Sequence, residues 1–373
     1  MKSKVLVTGG AGFIGSHTVD LLLERGYDVR ILDSLQPRVH PRGRPDYLPR
    51  EAEFIRGDAA NRDDLDKSLR GVGRVIHLAA YQDYLPDFSS FIHTNTESSA
   101  LLFELIVEKR YPVEKIVFAS SQSVSGEGRY ECAEHGVIYP ESRPLEQLRR
   151  GDWEVKCPAC GVGMKPLLID EKTVGPHTAY AISKYSIELL AKSLGLRYAI
   201  PTACMRYTYV QGTRNSFYNA YSGIARRFAL QLLHGRPPIC YEDGLQLRDY
   251  VNVKDIARAN VLVMEDPRAD YQVFNAGGGR AVTVVEFARI MIKEFGSDLE
   301  PLIPGEFRLG DTRHTVSDNS RLNGLGWQPA TPVEQNVSEY VAWMREQRGT
   351  AEYLEEAERV MREQGVVRRV EGR

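Results

Sequence analysis

Three residues in the middle of the chain have the types and spacing for proton transfer. Tyr180 and Lys184 are four residues apart in YAISK, so a helix through them would place the phenol and the ammonium on one face. A neighbouring cation favours the phenolate form of a tyrosine, which would make Tyr180 a base near neutral pH. Ser121 adds a hydroxyl at the end of the apolar run KIVFASS. The alternative is an ordinary tyrosine and lysine on a half-exposed helix.

A glycine-rich segment near the start of the chain has the spacing of a phosphate-binding turn. It follows the apolar run VLVT, and Gly9, Gly12 and Gly15 would let the backbone turn tightly beside a pyrophosphate. Such a triplet can also be only a flexible turn. Here it opens a helical pattern, and Asp33 ends the next apolar run, where a carboxylate accepts from ribose hydroxyls and repels a 2′-phosphate. We therefore expect NAD rather than NADP.

Two short motifs within residues 126–176 have the spacing of metal-ligand pairs. They are a CxxH and a CxxC, each followed by a glycine, and their ligands are Cys132, His135, Cys157 and Cys160. Four such ligands are what a closed tetrahedral zinc site requires. We expect a structural zinc ion, because no position would stay open for a substrate and the stretch has few apolar residues to order itself. A redox pair or inert thiols are the alternatives.

The composition indicates a soluble protein without a polyanion-binding surface. The 373 residues are 42% hydrophobic and 26% charged, with a formal net charge of -2. This balance gives no global attraction to nucleic acid or to anionic membranes, so a phosphate ligand needs a local site. No segment approaches the ~20 uninterrupted apolar residues of a membrane helix, and the first residues carry no leader pattern. We expect a cytoplasmic protein.

The secondary-structure elements that must position these residues alternate along the chain between strand-like apolar runs and helix-like spacing of apolar residues. Before residue 125, short β-branched runs alternate with stretches of helical spacing, which predicts an α/β fold with a doubly wound parallel sheet. The predicted parts are a Rossmann-type NAD-binding domain at 1–125 and 177–210 with parts of 240–280, a zinc-knuckle-like insertion at 126–176, a smaller C-terminal substrate lobe mainly at 211–347 and a charged tail at 348–373. We expect the tail to be a peripheral helix or a partly disordered end.

As a set, the motifs resemble the extended short-chain dehydrogenases, namely the nucleotide-sugar epimerases and dehydratases. The matching segments are TGGAGFIGS at 8–16, GD at 57–58, HLAA at 77–80, the strand end at Ser121, YAISK at 180–184, RDYVNVKD at 248–255 and GW at 326–327. They span about residues 4–330. The resemblance implies a serine, tyrosine and lysine triad, bound NAD, a nucleotide-sugar substrate and a homodimer.

The resemblance also implies which residues hold the two ligands. For the cofactor they are Gly9, Gly12, Phe13, Ile14, Gly15, Asp33, Asp58, Leu78, Ala79, Ala80, Asn95, Tyr180 and Lys184. For the substrate they are Ser121, Gln122, Tyr209, Asn219, Arg248, Arg308 and Arg313. A solvated surface charge is the alternative for each arginine.

The two residues after Ser121 distinguish the reactions of this family. Dehydratases carry an acid pair there and decarboxylases carry a glutamate at the second position, whereas this chain has Gln122 and Ser123, which have no useful pKa. A 4-epimerase needs only hydride transfer and the Tyr180 base. Together with the insertion, AAYQDYLPDF at 79–88 and NAYSG at 219–223 most resemble the bacterial dTDP-L-rhamnose 4-epimerases, which form dTDP-6-deoxy-L-talose.

Two departures from the family pattern leave the substrate open. Tyr209 replaces an asparagine that is common after the sixth strand, and Ser125 stands where a tyrosine is usual before Gly126. A UDP-hexose or UDP-uronate 4-epimerase is therefore the main alternative. A dehydrogenase that releases its product and a non-catalytic NAD-binding regulator are the others, although a regulator has no need of Tyr180.

Overall fold

A computed structural model of the chain describes residues 2–83, 85–216, 218, 223–347, 349–350, 353, 359, 363 and 365–371. The strands of this part are β1 Lys4–Thr8, β2 Val29–Asp33, β3 Glu53–Arg56, β4 Val72–His77, β5 Lys115–Ser121, β6 Tyr130–Cys132, β7 Gly136–Ile138, β8 Lys165–Pro166, β9 Thr202–Tyr207, β10 Tyr209–Gln211, β11 Leu247–Asn252, β12 Gln272–Ala276, β13 Ala281–Thr283, β14 Glu306–Arg308 and β15 Val367–Arg369. The α-helices are α1 Phe13–Glu24, α2 Arg62–Leu69, α3 Phe88–Phe91, α4 Ser98–Lys109, α5 Leu145–Arg149, α6 Ala179–Tyr198, α7 Gly223–Leu233, α8 Val253–Glu265, α9 Val284–Phe295, α10 Ser320–Asn323 and α11 Val333–Arg345, and the π-helical segment Ile92–Glu97 joins α3 to α4. Within these residues, no helix combines the length and the apolar composition needed to cross a bilayer.

Seven parallel strands form the central sheet in the order β12-β9-β5-β4-β1-β2-β3. Read from β3, this is the Rossmann order with one further strand. The inner strands are apolar and buried, as in β5, because helices cover both faces of a doubly wound sheet. The prediction of a Rossmann-type sheet is confirmed. The edge strand β3 has no buried residue, which is why periodicity missed it.

The chain reverses its direction across the sheet between β1 and β4, and the loops that follow these two strands lie side by side at the carboxyl edge. His77 at the end of β4 secures this edge, since its Nδ1 lies 2.9 Å from Thr8 Oγ1 and its Nε2 lies 3.0 Å from Ser98 Oγ. Burial lowers the pKa of His77 to about 3, so the imidazole is neutral. A crevice at such a switch point is where open α/β sheets bind ligands.

A second group of elements packs beside this edge. The sheet β10-β11-β13 and the helices α7, α9 and α11 share a core that includes Phe228, Tyr250, Phe287 and Val337. The rings of Tyr250 and Phe287 stack with centroids 4.1 Å apart. This core supports β10 and β11, which carry substrate residues predicted from the sequence.

The segment between β5 and α6 has its own small antiparallel sheet, β7-β6-β8, and the short helix α5. Its core is Tyr130, Cys132, Val155, Cys157 and Met164. This segment, 126–176, is called the insertion below. The few apolar residues of the insertion pack together with its cysteines in this one small core.

The tail differs from its prediction in one respect. Val367–Arg369 forms β15, which pairs antiparallel with β14, and the Glu371 N–H donates to the Arg149 carbonyl at 2.9 Å. A peripheral helix or a disordered end is therefore wrong for these residues. Their alternation is only a few residues long and is masked by charge, whereas the free edge of β14 is a long-range partner that the sequence does not show. Most of 348–364 lies outside the described residues.

Candidate active site

Two clefts meet at Tyr180. One has a volume of about 310 Å³ and opens at the carboxyl ends of β1, β2 and β4, and the other, of about 390 Å³, lies between the central sheet and β10 and β11. Tyr180 lines both clefts, Lys184 lines the first and Ser121 lines the second. The helix that carries the pair is capped by Thr178, whose side chain accepts from the Ala181 N–H. The structure thus brings the three triad residues together between two binding spaces.

The glycine-rich turn after β1 fits a pyrophosphate in the first cleft. Helix α1 begins at Phe13 with Gly12 as its N-cap and without a side-chain cap, so its first N–H groups are available to an anion. A Cβ at Gly15 would lie 2.1 Å from the Gly9 carbonyl oxygen. A Cβ at Gly9, where φ is +66°, would lie 2.8 Å from the Ala79 nitrogen. Only glycine permits this backbone path.

Asp33 ends β2 at the wall of the same cleft. Its Oδ2 accepts from the Ala11 N–H and its Oδ1 from the Leu35 N–H, both at 2.9 Å. These bonds fix the carboxylate while further lone pairs stay available for ribose hydroxyls. Arg38 also lines the cleft, but its guanidinium pairs with Asp83 at 2.5 Å. The residues present therefore fit NAD.

The other predicted cofactor residues divide into two groups. The cleft is lined by Phe13, Ile14, Asp58, Leu78, Ala79 and Ala80. Asn95 instead lies fully buried behind the wall, where it donates to Ser183 Oγ at 2.9 Å and accepts from the Tyr81 N–H at 2.7 Å. Since Tyr81 does line the cleft, Asn95 positions a wall residue and is not itself part of the wall.

The environment of the triad changes one expectation. Burial raises the pKa of Tyr180 to about 12, and the hydrogen bond with Ser121 opposes this shift. Burial also lowers the pKa of Lys184 to about 7. The loss of solvent therefore opposes the expectation that a neighbouring cation makes Tyr180 a base near neutral pH, and that expectation stays a prediction. The positive charge of an oxidised nicotinamide would favour the phenolate when the cofactor is bound.

The second cleft holds most of the predicted substrate residues. It is lined by Ser121, Gln122, Tyr209, Arg248 and Arg308. The Oε1 of Gln122 and the Oγ of Ser123 are buried there without a hydrogen-bond partner in the described protein. Such orphaned polar atoms indicate a polar ligand, since an unpaired buried group is costly.

One predicted substrate residue does not line the second cleft, and another lies outside the described residues. Arg313 is fully buried among acidic side chains and binds Glu154, Glu242 and Asp243. The prediction that Arg313 binds the substrate is therefore replaced by a structural role, since its guanidinium already pairs with three carboxylates of the protein. Asn219 lies outside the described residues.

Sequence reasoning missed two glutamines of this cleft. Gln211 and Gln246 are each 4% exposed, and the Oε1 of each lacks a partner in the described part of the chain. Gln211 lies two residues after Tyr209 on β10, and Gln246 lies two residues before Arg248. Residues two apart on an extended chain face the same side. The period of two was therefore the signal that could have found them.

The four predicted metal ligands converge in the insertion. Their ligand atoms all lie within 4.8 Å of one another. The Cys132 and Cys160 sulfurs are 3.7 Å apart, and the His135 Nδ1 lies 3.5 Å from the Cys132 sulfur and 3.6 Å from the Cys157 sulfur. None of the four lines either cleft. Their thiols are free, at separations far longer than the ~2.05 Å of a disulfide.

The parallel sheet, the glycine-rich turn and the triad between two clefts define a dinucleotide-dependent enzyme of the short-chain dehydrogenase type. The chain belongs to the NAD dependent epimerase/dehydratase family, whose model matches residues 5–144 and 159–277. The residues between these two matches, 145–158, lie within the insertion.

Relatives are similar along nearly the whole chain. The dTDP-L-rhamnose 4-epimerase of Burkholderia thailandensis is 31% identical over 351 residues, covering 92% of this chain and 95% of that protein. A putative UDP-glucose 4-epimerase of Methanocaldococcus jannaschii is 30% identical, covering 91% and 98%. Among solved structures, UDP-glucose 4-epimerase from Thermotoga maritima with UDP-glucose has a TM-score of 0.75 at 29% identity, covering 92% and 98%. The Thermus thermophilus UDP-glucose 4-epimerase in complex with NAD has a TM-score of 0.72 at 27% identity, covering 92% and 99%.

Proposed function

We propose that the protein uses bound NAD to invert C4 of a nucleotide-activated sugar, most specifically to convert dTDP-L-rhamnose to dTDP-6-deoxy-L-talose. The observation that carries this proposal is the position of Tyr180, whose phenol lines both clefts while no carboxylate follows Ser121. The relative from Burkholderia thailandensis supports the rhamnose substrate. The similarly close Methanocaldococcus jannaschii protein supports a UDP-hexose as the alternative.

Each residue of the site has its own role in the proposed reaction. Tyr180 takes the proton of the sugar 4-hydroxyl, and Ser121 donates a hydrogen bond to the oxygen that becomes the 4-keto group. NAD, held by the glycine-rich turn, Asp33 and Lys184, would accept a hydride from C4 and give it back to the opposite face of that carbon. Tyr180 then returns the proton. Lys184 holds the nicotinamide ribose beside the phenol, and Arg248 binds the diphosphate.

The absence of an acid next to Ser121 favours epimerisation over elimination of water. A dehydratase must protonate a departing hydroxyl, and neither Gln122 nor Ser123 can do so at useful pH. A serine, tyrosine and lysine triad between two clefts disfavours a purely regulatory NAD-binding protein, because sensing NAD does not require Tyr180.

The test is to incubate the purified protein, without added cofactor, with dTDP, UDP and GDP sugars and to follow C4 stereochemistry by proton NMR. We expect one dTDP-sugar to equilibrate with its 4-epimer. Equilibration of only a UDP-hexose or UDP-uronate would correct the substrate. Stoichiometric consumption of added NAD would indicate a dehydrogenase, and bound NAD without turnover of any sugar would indicate a regulator.

We also propose that the insertion binds one structural zinc ion through Cys132, His135, Cys157 and Cys160. Zinc–sulfur bonds of ~2.3 Å at tetrahedral angles place two sulfurs about 3.8 Å apart and a sulfur and a nitrogen about 3.6 Å apart. Three of the six separations among the ligand atoms are 3.7 Å, 3.5 Å and 3.6 Å, and the others do not exceed 4.8 Å. Backbone N–H groups also donate to two of the sulfurs, from Glu134 to Cys132 and from Val162 to Cys160.

Elemental analysis tests the zinc proposal directly. We expect about one zinc per chain, lost in the Cys157→Ser and Cys160→Ser double variant, whose insertion becomes sensitive to protease while NAD stays bound. The control is Cys240→Ala, which removes a buried thiol outside the insertion and should retain the zinc. Metal-free protein that was purified without chelators and resists protease in the insertion would refute the proposal.

We further propose that the protein is a homodimer formed through α6. Ile182, Leu189 and Leu196 are spaced seven residues apart and are 47%, 52% and 56% exposed. Phe88 and Ile92, on the neighbouring α3 and π-helical segment, are 62% and 45% exposed. An apolar stripe on one helix face can pair with its own copy about a two-fold axis.

Light scattering of the eluting protein tests the dimer. We expect wild type to have twice the mass of one chain and Leu189→Glu to have the mass of one. The control is Leu245→Glu, since Leu245 is equally exposed at 51% but lies away from α6. A wild-type monomer at micromolar concentration would contradict this proposal.

A further inference from the structure

Glu154 connects the insertion to the wall of the substrate cleft. It lies three residues before Cys157, and its Oε1 accepts from Arg313 Nε at 3.1 Å and Nη2 at 2.6 Å. Its Oε2 lies 3.2 Å from His314 Nε2. One carboxylate of the insertion thus holds two consecutive residues of the segment that borders the cleft.

Arg313 binds Arg248 directly, and His314 binds the residue before it. The Arg313 carbonyl accepts from Arg248 Nη1 at 2.9 Å. His314 Nδ1 accepts from the Leu247 N–H at 3.1 Å, so the imidazole carries its proton on Nε2 and donates it to Glu154. Two chains of hydrogen bonds therefore run from Glu154 to Arg248, one through Arg313 and the other through His314 and the backbone beside the arginine.

The surroundings make this connection stiff. Arg313 is 0% exposed, and its Nη1 also donates to Glu242 Oε2 at 2.9 Å. Arg143, from the insertion, donates to both Glu242 oxygens and to the Asp311 carbonyl at 2.8 Å. The Glu154 side chain is itself half exposed, but Arg313, Arg143 and Glu242 are buried. Buried ion pairs are costly to rearrange, because a broken pair leaves a charge without solvent.

At the insertion end, the backbone at Glu154 is held by residues that pack with Cys132 and Cys157. Gln147 Nε2 donates to the Glu154 carbonyl at 2.6 Å, and the Met164 N–H donates to the Val155 carbonyl at 2.9 Å. Val155 and Met164 belong to the core that contains Cys132 and Cys157. The backbone at Glu154 therefore has a defined position only where the insertion is ordered.

We propose that Glu154 is a positioning residue for nucleotide-sugar binding, which makes the affinity for the substrate diphosphate depend on the order of the insertion. The inference rests on the proposed function in assigning Arg248 to the diphosphate. The carboxylate does not reach the cleft, so it acts through Arg313 and His314. The insertion accordingly sets substrate affinity and leaves the cofactor cleft and the triad unchanged.

Calorimetric titration of the NAD-loaded protein with UDP and with dTDP tests this inference, because nucleotide binding is measured without turnover. We expect Glu154→Gln to bind both nucleotides about tenfold more weakly, since the neutral amide cannot accept from both Arg313 and His314. In the sugar assay its KM should rise by a similar factor while kcat stays within twofold. NAD and zinc contents should equal those of wild type.

Two further variants show whether the effect depends on the hydrogen bonds of Glu154. Glu146→Gln is the matched control, because Glu146 is an exposed glutamate of the same insertion that pairs with Arg149, and it should bind nucleotides as wild type does. His314→Asn keeps an acceptor for the Leu247 N–H but does not reach Glu154, and about threefold weaker binding is expected.

The outcomes separate this inference from the proposed function. Nucleotide affinity within twofold of wild type in folded Glu154→Gln would overturn the inference, as would wild-type protein that binds neither nucleotide. A lower kcat with unchanged KM would also overturn it. Weaker nucleotide binding in a protein that epimerises no sugar would instead support the inference and contradict the proposed function.

Discussion

The Lys184 ammonium lies beneath the Tyr180 ring, 5.8 Å from its centroid, and donates its hydrogen bond to the Ala119 carbonyl at 3.0 Å. It therefore ties α6 to the end of β5, the strand that carries Ser121. Lys184 is only 2% exposed, and among the described residues its ammonium has the Ala119 carbonyl as its partner and no carboxylate. Burying this amine without a carboxylate costs stability, and we propose that the lysine is retained because it binds the cofactor.

The first prediction is that Lys184→Met stabilises NAD-free protein in a pH-dependent way. Burial places the pKa of Lys184 at about 7 against an ordinary 10.5, so between these values the unfolded chain binds more protons and wild-type stability rises with pH. Below about pH 7 the full burial penalty remains. The variant should therefore gain about 2 kcal/mol at pH 6, and the gain should shrink towards pH 10.

Urea unfolding at pH 6, 8 and 10 measures this gain. The exposed Lys192 on the same helix supplies the control, and Lys192→Met should follow wild type at every pH. A gain for Lys184→Met that grows with pH would have the wrong sign for a buried cation. The same variant should lose epimerase activity, because the ribose of the cofactor loses its cation.

The second prediction concerns the base. Tyr180→Phe should lower turnover at least ~100-fold while bound NAD is retained, because both hydride transfers need a deprotonated 4-oxygen. NMR exchange rates and the NAD released on denaturation are the measurements. Tyr198→Phe changes an exposed tyrosine of the same helix and should behave as wild type. A near-normal rate for Tyr180→Phe would remove it from the mechanism.

The sequence was most informative where function depends on contiguous residues. Gly15 is needed because its own turn folds back against the Gly9 carbonyl, and the local spacing of the glycines indicates this requirement. Gly9 also leaves room for the distant Ala79, which the spacing does not show. Tyr180 and Lys184 share a face because they are four apart on one helix. The parallel sheet followed from apolar runs that are buried on both faces.

Residues whose role depends on distant partners were not predictable in this way. Arg313 looked like a ligand for a diphosphate, and only the folded chain brings Glu154 and Glu242 to its guanidinium, from 159 and 71 positions away. Asn95 meets Ser183 across 88 positions. Residue type and spacing do not distinguish an arginine that binds a ligand from one that pairs with carboxylates inside the protein. The sequence therefore could not tell ligand-binding residues from structural ones here.

The third prediction concerns the choice of cofactor. Wild-type protein should release NAD or NADH on denaturation, and Asp33→Asn should bind NAD about tenfold more weakly with a smaller preference over NADP. The variant loses the negative charge, and its single amide oxygen cannot accept from both Ala11 and Leu35. Chromatography of the released nucleotide and calorimetry of stripped protein measure the effects.

A matched change shows whether the effect belongs to the site. Asp46 is an exposed aspartate, and Asp46→Asn should alter neither affinity nor preference. Release of NADP from wild-type protein would overturn the assignment of Asp33 to the ribose hydroxyls.

The last prediction separates the two arginines that the sequence had grouped together. Arg313 is fully buried against Glu154, Glu242 and Asp243. Arg313→Met should lower the free energy of unfolding by about 3 kcal/mol, because the buried Glu242 then keeps only Arg143 as its cation. Arg308 lines the substrate cleft, and its side chain is 24% exposed. Arg308→Gln should therefore change stability by no more than about 0.5 kcal/mol while raising KM for the nucleotide sugar. Urea unfolding and steady-state kinetics of both variants measure these effects. An Arg313→Met variant as stable as wild type would contradict the structural assignment of Arg313, whereas a raised KM alone would not, because Glu154 is proposed to act on Arg248 through Arg313.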